Sequence, residues 1–126
     1  MINQGFKDLT VYKKAFQHAC EINQITLKFP KEEKYSLTDQ IRRSSRSVCA
    51  NLAEAYRKRD YPKYYLFKLS DCLGENSEIL VWLDFAFHCQ YISEEEYKHL
   101  IELNNEAGKL LSYMINNPEK FGVVPS

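Results

Sequence analysis

Residues 65–87 read YLFKLSDCLGENSEILVWLDFAF, a proline-free stretch in which apolar side chains return every three or four positions. Tyr65, Leu69, Cys72, Asn76, Ile79, Leu83 and Ala86 keep alternating four–three spacing, and Leu66, Leu73, Leu80 and Phe87 form a second row beside them. That period belongs to an amphipathic α-helix, and two rows predict a wide apolar face. The helix is expected over about 61–88, with Asp60 as its N-cap and Pro62 tolerated in its first turn. Trp82 falls off both rows, so it suits either a subunit contact or a peripheral contact within the chain. The apolar run Ile79–Phe87 is interrupted by Asp84 and is too short to span a bilayer.

Three further helices flank this one. The first is expected over about 9–29, with Tyr12, Ala15, Phe16, Ala19, Ile22, Thr26 and Phe29 on one face and Pro30 as its stop. The second, about 37–59, is capped by Ser36 or Thr38. Its inner stripe is Leu37, Ile41, Ser44, Val48, Leu52 and Ala55, with Ser45, Ser47, Ala50 and Ala53 on or beside it, and such small side chains permit close helix approach. The fourth, about 93–116, opens on the capping-box pair Ser93 and Glu96, with Ile92 placed to staple onto Tyr97. Its core stripe is Tyr97, Leu100, Asn104, Ala107, Leu111 and Met114, and a loose tail over 117–126 is expected after it. Strand signals are absent and the connections are short. The prediction is a single all-α domain, an antiparallel up-and-down four-helix bundle.

Composition agrees. The chain of 126 residues is 44% apolar and 27% charged with four Gly and four Pro, which suits one soluble domain of long elements. The N-terminal MINQGFKDL lacks the apolar core of a signal peptide. Cys20, Cys49, Cys72 and Cys89 form no C-x-x-C pair and are expected as free buried thiols in a reducing cytoplasm.

Net charge is zero but unevenly spread. Residues 41–70 hold eight cations against two acids, a net of +6, whereas residues 71–126 hold three against ten, a net of −7. The basic segment contributes the candidate binding residues Arg42, Arg43, Arg46, Arg57, Lys58, Arg59 and Lys63, interleaved with Tyr56, Tyr61, Tyr64 and Tyr65. Arginine binds phosphate bidentately and exposed rings stack on bases, so RNA, DNA or a nucleoprotein is one expected partner. A solvated basic face, or contact with the acidic helices of a neighbouring subunit, is the alternative. Four polar residues, Asn51, Glu54, Asn76 and Glu78, fall on or beside core rows and are expected to pair with one another or with an arginine, or else to line a polar pocket.

Catalytic and metal readings find little support. A di-iron bundle needs two Glu-x-x-His pairs, and only Glu96-Tyr97-Lys98-His99 has that spacing. His18 with Cys20, and His88 with Cys89, do not share a helix face, so surface histidines and core cysteines are expected rather than a zinc site. No phosphate-binding glycine loop, nucleophile elbow or zinc-protease motif occurs. The sequence therefore assigns no catalytic residue, metal or cofactor.

The stretch from Gln40 to Ala55, QIRRSSRSVCANLAEA, resembles the Q-I-R-R-A-x-x-S-I-x-x-N-I-A-E-G signature of the proteins encoded in intervening sequences of bacterial 23S rRNA genes, often labelled S23 ribosomal proteins. Phe6, Asp8, Leu9, Val11, Tyr12, Phe29-Pro30, Tyr35, Leu37-Thr38, Gly74 and Glu78 look like further family positions, and the likeness covers about residues 6–115. Ala55 replaces the signature's last glycine, and Arg46 stands where a small or apolar residue is usual. The resemblance implies a bacterial four-helix bundle that forms a ring-like homopentamer and has no enzymatic activity. It extends to the accessory proteins of diversity-generating retroelements, which bind nucleic acid through a basic surface.

Overall fold

The computed structural model describes residues 5–124; the leader reading of Met1–Gln4 and the end of the tail, Pro125 and Ser126, lie outside them. Four α-helices carry the fold: α1 Thr10–Ile25, α2 Leu37–Arg57, α3 Pro62–His88 and α4 Glu94–Asn116. Each packs on its neighbours in sequence and α4 returns to α1, which closes a square bundle. The connection from α2 to α3 is only the turn around Lys58–Tyr61, and such short turns force neighbouring helices antiparallel. The core runs along the axis, with Ile22, Ile41, Leu52, Tyr65, Leu69, Ile79, Leu83, Leu100, Leu111 and Met114 all 2% exposed or less.

Helix ends differ from the sequence expectation in instructive ways. Thr38 is buried inside α2, and Ser36 makes no cap bond of its own. Glu33 does the capping instead: its Oε1 accepts from the Leu37 amide at 3.3 Å and from Ser36 Oγ at 2.6 Å, while Oε2 accepts from Tyr91 Oη at 2.8 Å. These hydrogen bonds hold the Glu33 carboxyl below its ordinary pKa. Asp60 does not cap α3; Tyr61 occupies that position and Pro62 is the first helical residue, where a missing N–H costs nothing. The Ser93–Glu96 capping box forms on both sides, 3.0 Å and 2.8 Å, and Glu96 also pairs with Lys28 at 2.6 Å.

The stripe of α1 holds at Ala15, Ile22, Thr26 and Phe29, which are buried, and differs at Tyr12, Phe16 and Ala19. Val11, Ala15, His18 and Ile22 face the core, while Phe16 is 54% exposed and Tyr12 only half-buried. His18, expected at the surface, takes the core position between Ala15 and Ile22. His18 is 2% exposed and burial pushes its imidazole down to about 4. The cysteines show the converse error: only Cys72 is buried, Cys49 is half-buried, and Cys20 and Cys89 are exposed.

The tail, expected to be loose, is packed as far as Val123. Pro118–Phe121 forms a 3₁₀ turn, Gly122 adopts a left-handed φ of 84°, and Val123 returns to the core at 2% exposure. Arg59 fastens this segment. Its guanidinium lies 3.7 Å from the Tyr56 ring centre, Nε donates to the Tyr56 carbonyl and Nη1 to the Phe121 carbonyl. Replacing Arg59 with alanine should lower stability by about 1–2 kcal/mol, since carbonyls and Val123 lose their anchor. Urea denaturation of the full chain, read by circular dichroism, checks this value.

Candidate nucleic-acid interface

The seven basic candidates do not share one face. Arg42 donates from Nε to Thr26 Oγ1 at 2.8 Å, and Arg46 from Nη2 to Asn23 Oδ1 at 3.1 Å, so both lean onto α1. Arg43 is 71% exposed, with Asp39 at 3.7 Å one turn earlier. Arg59 is committed to the tail, as described above. Arg57 and Lys63 are exposed with no intrachain partner among the described residues. Lys58 is exposed beside two rings, 5.6 Å from the centre of Tyr61 and 5.7 Å from that of Tyr64. The structure thus removes Arg42 and Arg59 from the free cations, because each guanidinium makes a part-buried bond to the fold, leaves Arg46 on an exposed bond, and gathers Arg57, Lys58 and Lys63 at the α2–α3 turn.

The turn exists because Lys58 amide bonds to the Glu54 and Ala55 carbonyls end α2, and Pro62 immediately starts α3. Two elements therefore deliver cations and rings to one corner of the bundle. Lys68 closes that corner from α3. It pairs with Glu54 at 2.9 Å, reaches Asn51 Oδ1 at 3.4 Å and lies 5.8 Å from the Tyr64 ring centre. Its pKa is raised chiefly by the hydrogen bond to Glu54.

The expected four-residue polar network is divided. Asn51 and Glu54 belong to Lys68, and Glu78 is exposed. Asn76 pairs with Asn104 instead: each Nδ2 donates to the other residue's carbonyl, at 3.1 and 2.9 Å, and to its Oδ1, at 3.3 and 3.2 Å. A Cβ at Gly108 would come within 3.2 Å of Asn76 Nδ2, so the glycine leaves that amide its room. The sequence placed both asparagines on core stripes, and their matching depth on facing helices was the unread signal.

The outer side of α3 is zoned along its length. Tyr61, Tyr64 and Phe67 are exposed at its start, among lysines. Asp71, Glu75 and Glu78 follow; burial and then the two neighbouring carboxylates raise the Glu75 pKa, against the pull of Arg43. Val81 and Phe85, 47% and 55% exposed, end it. Trp82 is not an exposed interface residue. It is half-buried against the core, and its Nε1 donates to Ser44 Oγ at 3.3 Å, made possible by the small inner stripe of α2. The second row of α3 is likewise only partly covered: Leu73 and Leu80 are half-buried, whereas Leu66 and Phe87 are exposed. A four-helix square has room for one row of a helix at its centre.

The α1–α4 groove brings Cys20, Glu21, Lys28, Glu96 and His99 together. Glu21 Oε1 holds His99 Nε2 at 2.6 Å, and no hydrogen bond joins Cys20 to that imidazole among the described residues. Among the described residues no group of three or more His, Cys, Asp or Glu could hold a metal ion, and no helix is long and apolar enough to cross a membrane.

Fold and corner together define an all-α bundle of four helices with a cationic, aromatic turn. The chain belongs to the 23S rRNA-intervening sequence protein family, whose model matches residues 7–113. It is similar to a protein of unknown function from the S23 ribosomal protein family of Bacteroides thetaiotaomicron VPI-5482, whose crystal structure superposes with a TM-score of 0.75. The two share 28% identity over 84% of this chain and 95% of that chain. No curated protein matches.

Proposed function

We propose that this protein is a non-enzymatic, homo-oligomeric bacterial bundle that acts in the cytoplasm and binds nucleic acid through Arg57, Lys58 and Lys63 at the α2–α3 turn, with Arg43 and Arg46 extending the surface along α2. One observation carries the reading: these turn cations stay in solvent while Arg42 and Arg59 are consumed by the fold. Phosphate contacts are dominated by such charges and release counterions on binding. Four thiols without a disulfide accord with a reducing compartment.

The test is salt-dependent binding. Three phosphate contacts on a single strand give a log–log slope near −2, so affinity should fall about twentyfold between 50 and 200 mM salt. The Arg57→Glu/Lys58→Glu/Lys63→Glu variant should abolish measurable binding. Affinity indifferent to salt or to charge reversal would end the proposal.

A second reading is a protein-interaction module whose basic segment meets acidic neighbour subunits. Val81 and Phe85, exposed beside the acids of α3, favour a self-contact there. In that case the charge-reversal variant loses oligomer mass in light scattering, whereas the nucleic-acid reading leaves the mass unchanged.

A further inference from the structure

We infer that the α2–α3 corner takes single-stranded nucleic acid specifically, with bases stacked on the rings of Tyr61, Tyr64 and Phe67 and phosphates on the flanking lysines. The inference rests on the nucleic-acid reading above and adds the class of strand. The three rings are spaced three residues apart, Tyr61 at the N-cap and Tyr64 and Phe67 in the first two turns of α3, so each is displaced about 4.5 Å along the axis and about 60° around it. They are 63%, 40% and 66% exposed. Solvated rings of this size, gathered in one row, are poorly suited to bulk water.

The chemistry around the row selects its occupant. Residues 57–68 carry five cations against the single acid Asp60, a net of +4. Lys58 lies over both tyrosine rings, and Lys68 reaches Tyr64 from the other side, so cations are already spaced among the aromatic faces. A ligand that offers flat π-faces alternating with negative charge matches this row, which is the composition of a single strand. A duplex hides its base faces inside the stack and offers the rings nothing. An acidic peptide would satisfy the lysines and leave the rings open.

The row has an end. Asp71, Glu75 and Glu78 succeed Phe67 on the same outer side, and their charge repels a phosphate backbone. The stacked segment is therefore short, about one nucleotide per ring, and strand beyond it is led back over Arg57 and Lys63 rather than along α3.

The experiment is fluorescence anisotropy of the full chain with labelled 12-mers of oligo(U) and oligo(dT) and with a 12-base-pair RNA duplex. Tyr64→Leu should weaken single-strand binding about tenfold, and Tyr61→Leu/Tyr64→Leu/Phe67→Leu upward of about a hundredfold, with duplex binding changed less than about twofold. Tyr61→Phe/Tyr64→Phe should keep single-strand affinity, because stacking needs the ring and not the hydroxyl. All substitutions lie on solvent-facing positions, and unchanged helical circular dichroism confirms the fold. RNA and DNA strands bound alike mean that the 2′-hydroxyl is not read; a preference for RNA adds a sugar contact to the same stacking. If the leucine variant weakens duplex and single strand equally, or neither, stacking is overturned while the charge-based reading survives. If the wild-type chain binds none of the three probes, both readings fall.

Discussion

Replacing Asn104 with alanine should lower the stability of the bundle by about 1–3 kcal/mol, a large effect for a substitution outside the apolar core. Asn76 and Asn104 are 6% and 1% exposed and satisfy each other through four reciprocal hydrogen bonds. Removing one side chain leaves the other residue's Oδ1 without its donor, while its Nδ2 keeps the backbone carbonyl across the seam, and opens a small cavity besides; together these cost about 1–3 kcal/mol. Asn76→Ala should cost a similar amount. The double variant should cost less than the sum of the two singles by about 1 kcal/mol, because no Oδ1 is left without a donor. Urea denaturation of all four proteins measures this coupling. Strictly additive losses would mean that the two amides do not depend on one another. The pair joins α3 to α4 at one depth, so it also fixes their register; a slip by one turn would bury both amides unpaired.

Acid should unfold the protein through His18. Its imidazole is buried, desolvation lowers its pKa from 6.5 to about 4 against the opposing pull of Glu21, and its Nε2 has no partner. The unfolded chain takes up this proton near pH 6.5 and the folded chain only near 4. Between those values the unfolded state binds more protons, so stability falls as pH falls. The contribution is complete above pH 6.5 and gone below about 4, and the shift corresponds to ~3 kcal/mol. His18→Leu removes that component and relieves the unpaired nitrogen, so at neutral pH the variant should match or exceed the wild type. Glu33 and Glu96, whose pKa values hydrogen bonds lower, also weaken the fold in acid. They titrate in both proteins, so the difference between the two stability–pH curves isolates His18. A parallel pair of curves from pH 7.5 to 4 would remove the histidine from the account.

These two sites mark where sequence reading was strong and where it failed. Period and punctuation located all four helices, because an apolar row of twenty residues is visible without knowing its partner. The stripes of α2 and α4 follow the same rule. The stripe of α1 is legible at Ala15, Ile22, Thr26 and Phe29 but not at His18, because polarity alone cannot reveal that a neighbouring helix shields it. Cap assignments failed where the acceptor is not adjacent: Glu33 reaches Leu37 from the preceding 3₁₀ turn, and the backbone path of that turn is not written in residue types. The basic segment was evident as a charge run, but its division was not. Arg42, Arg59 and Lys63 look alike in sequence; only the positions of Thr26 and the Phe121 carbonyl show that two of them are already engaged. The width of the apolar rows on α3 was also legible, and the square packing explains why much of that width stays in solvent.

The central claim is that the α2–α3 corner is where this bundle meets a nucleic-acid strand. Photocrosslinking with a single-stranded oligonucleotide carrying 5-iodouridine, followed by mass spectrometry of the full chain, tests it directly. Adducts should concentrate on Tyr61, Tyr64 and Phe67 and should fade as salt rises. Adducts confined to the α1–α4 groove around His99, or spread without preference over the exposed tyrosines Tyr35 and Tyr113, would contradict it.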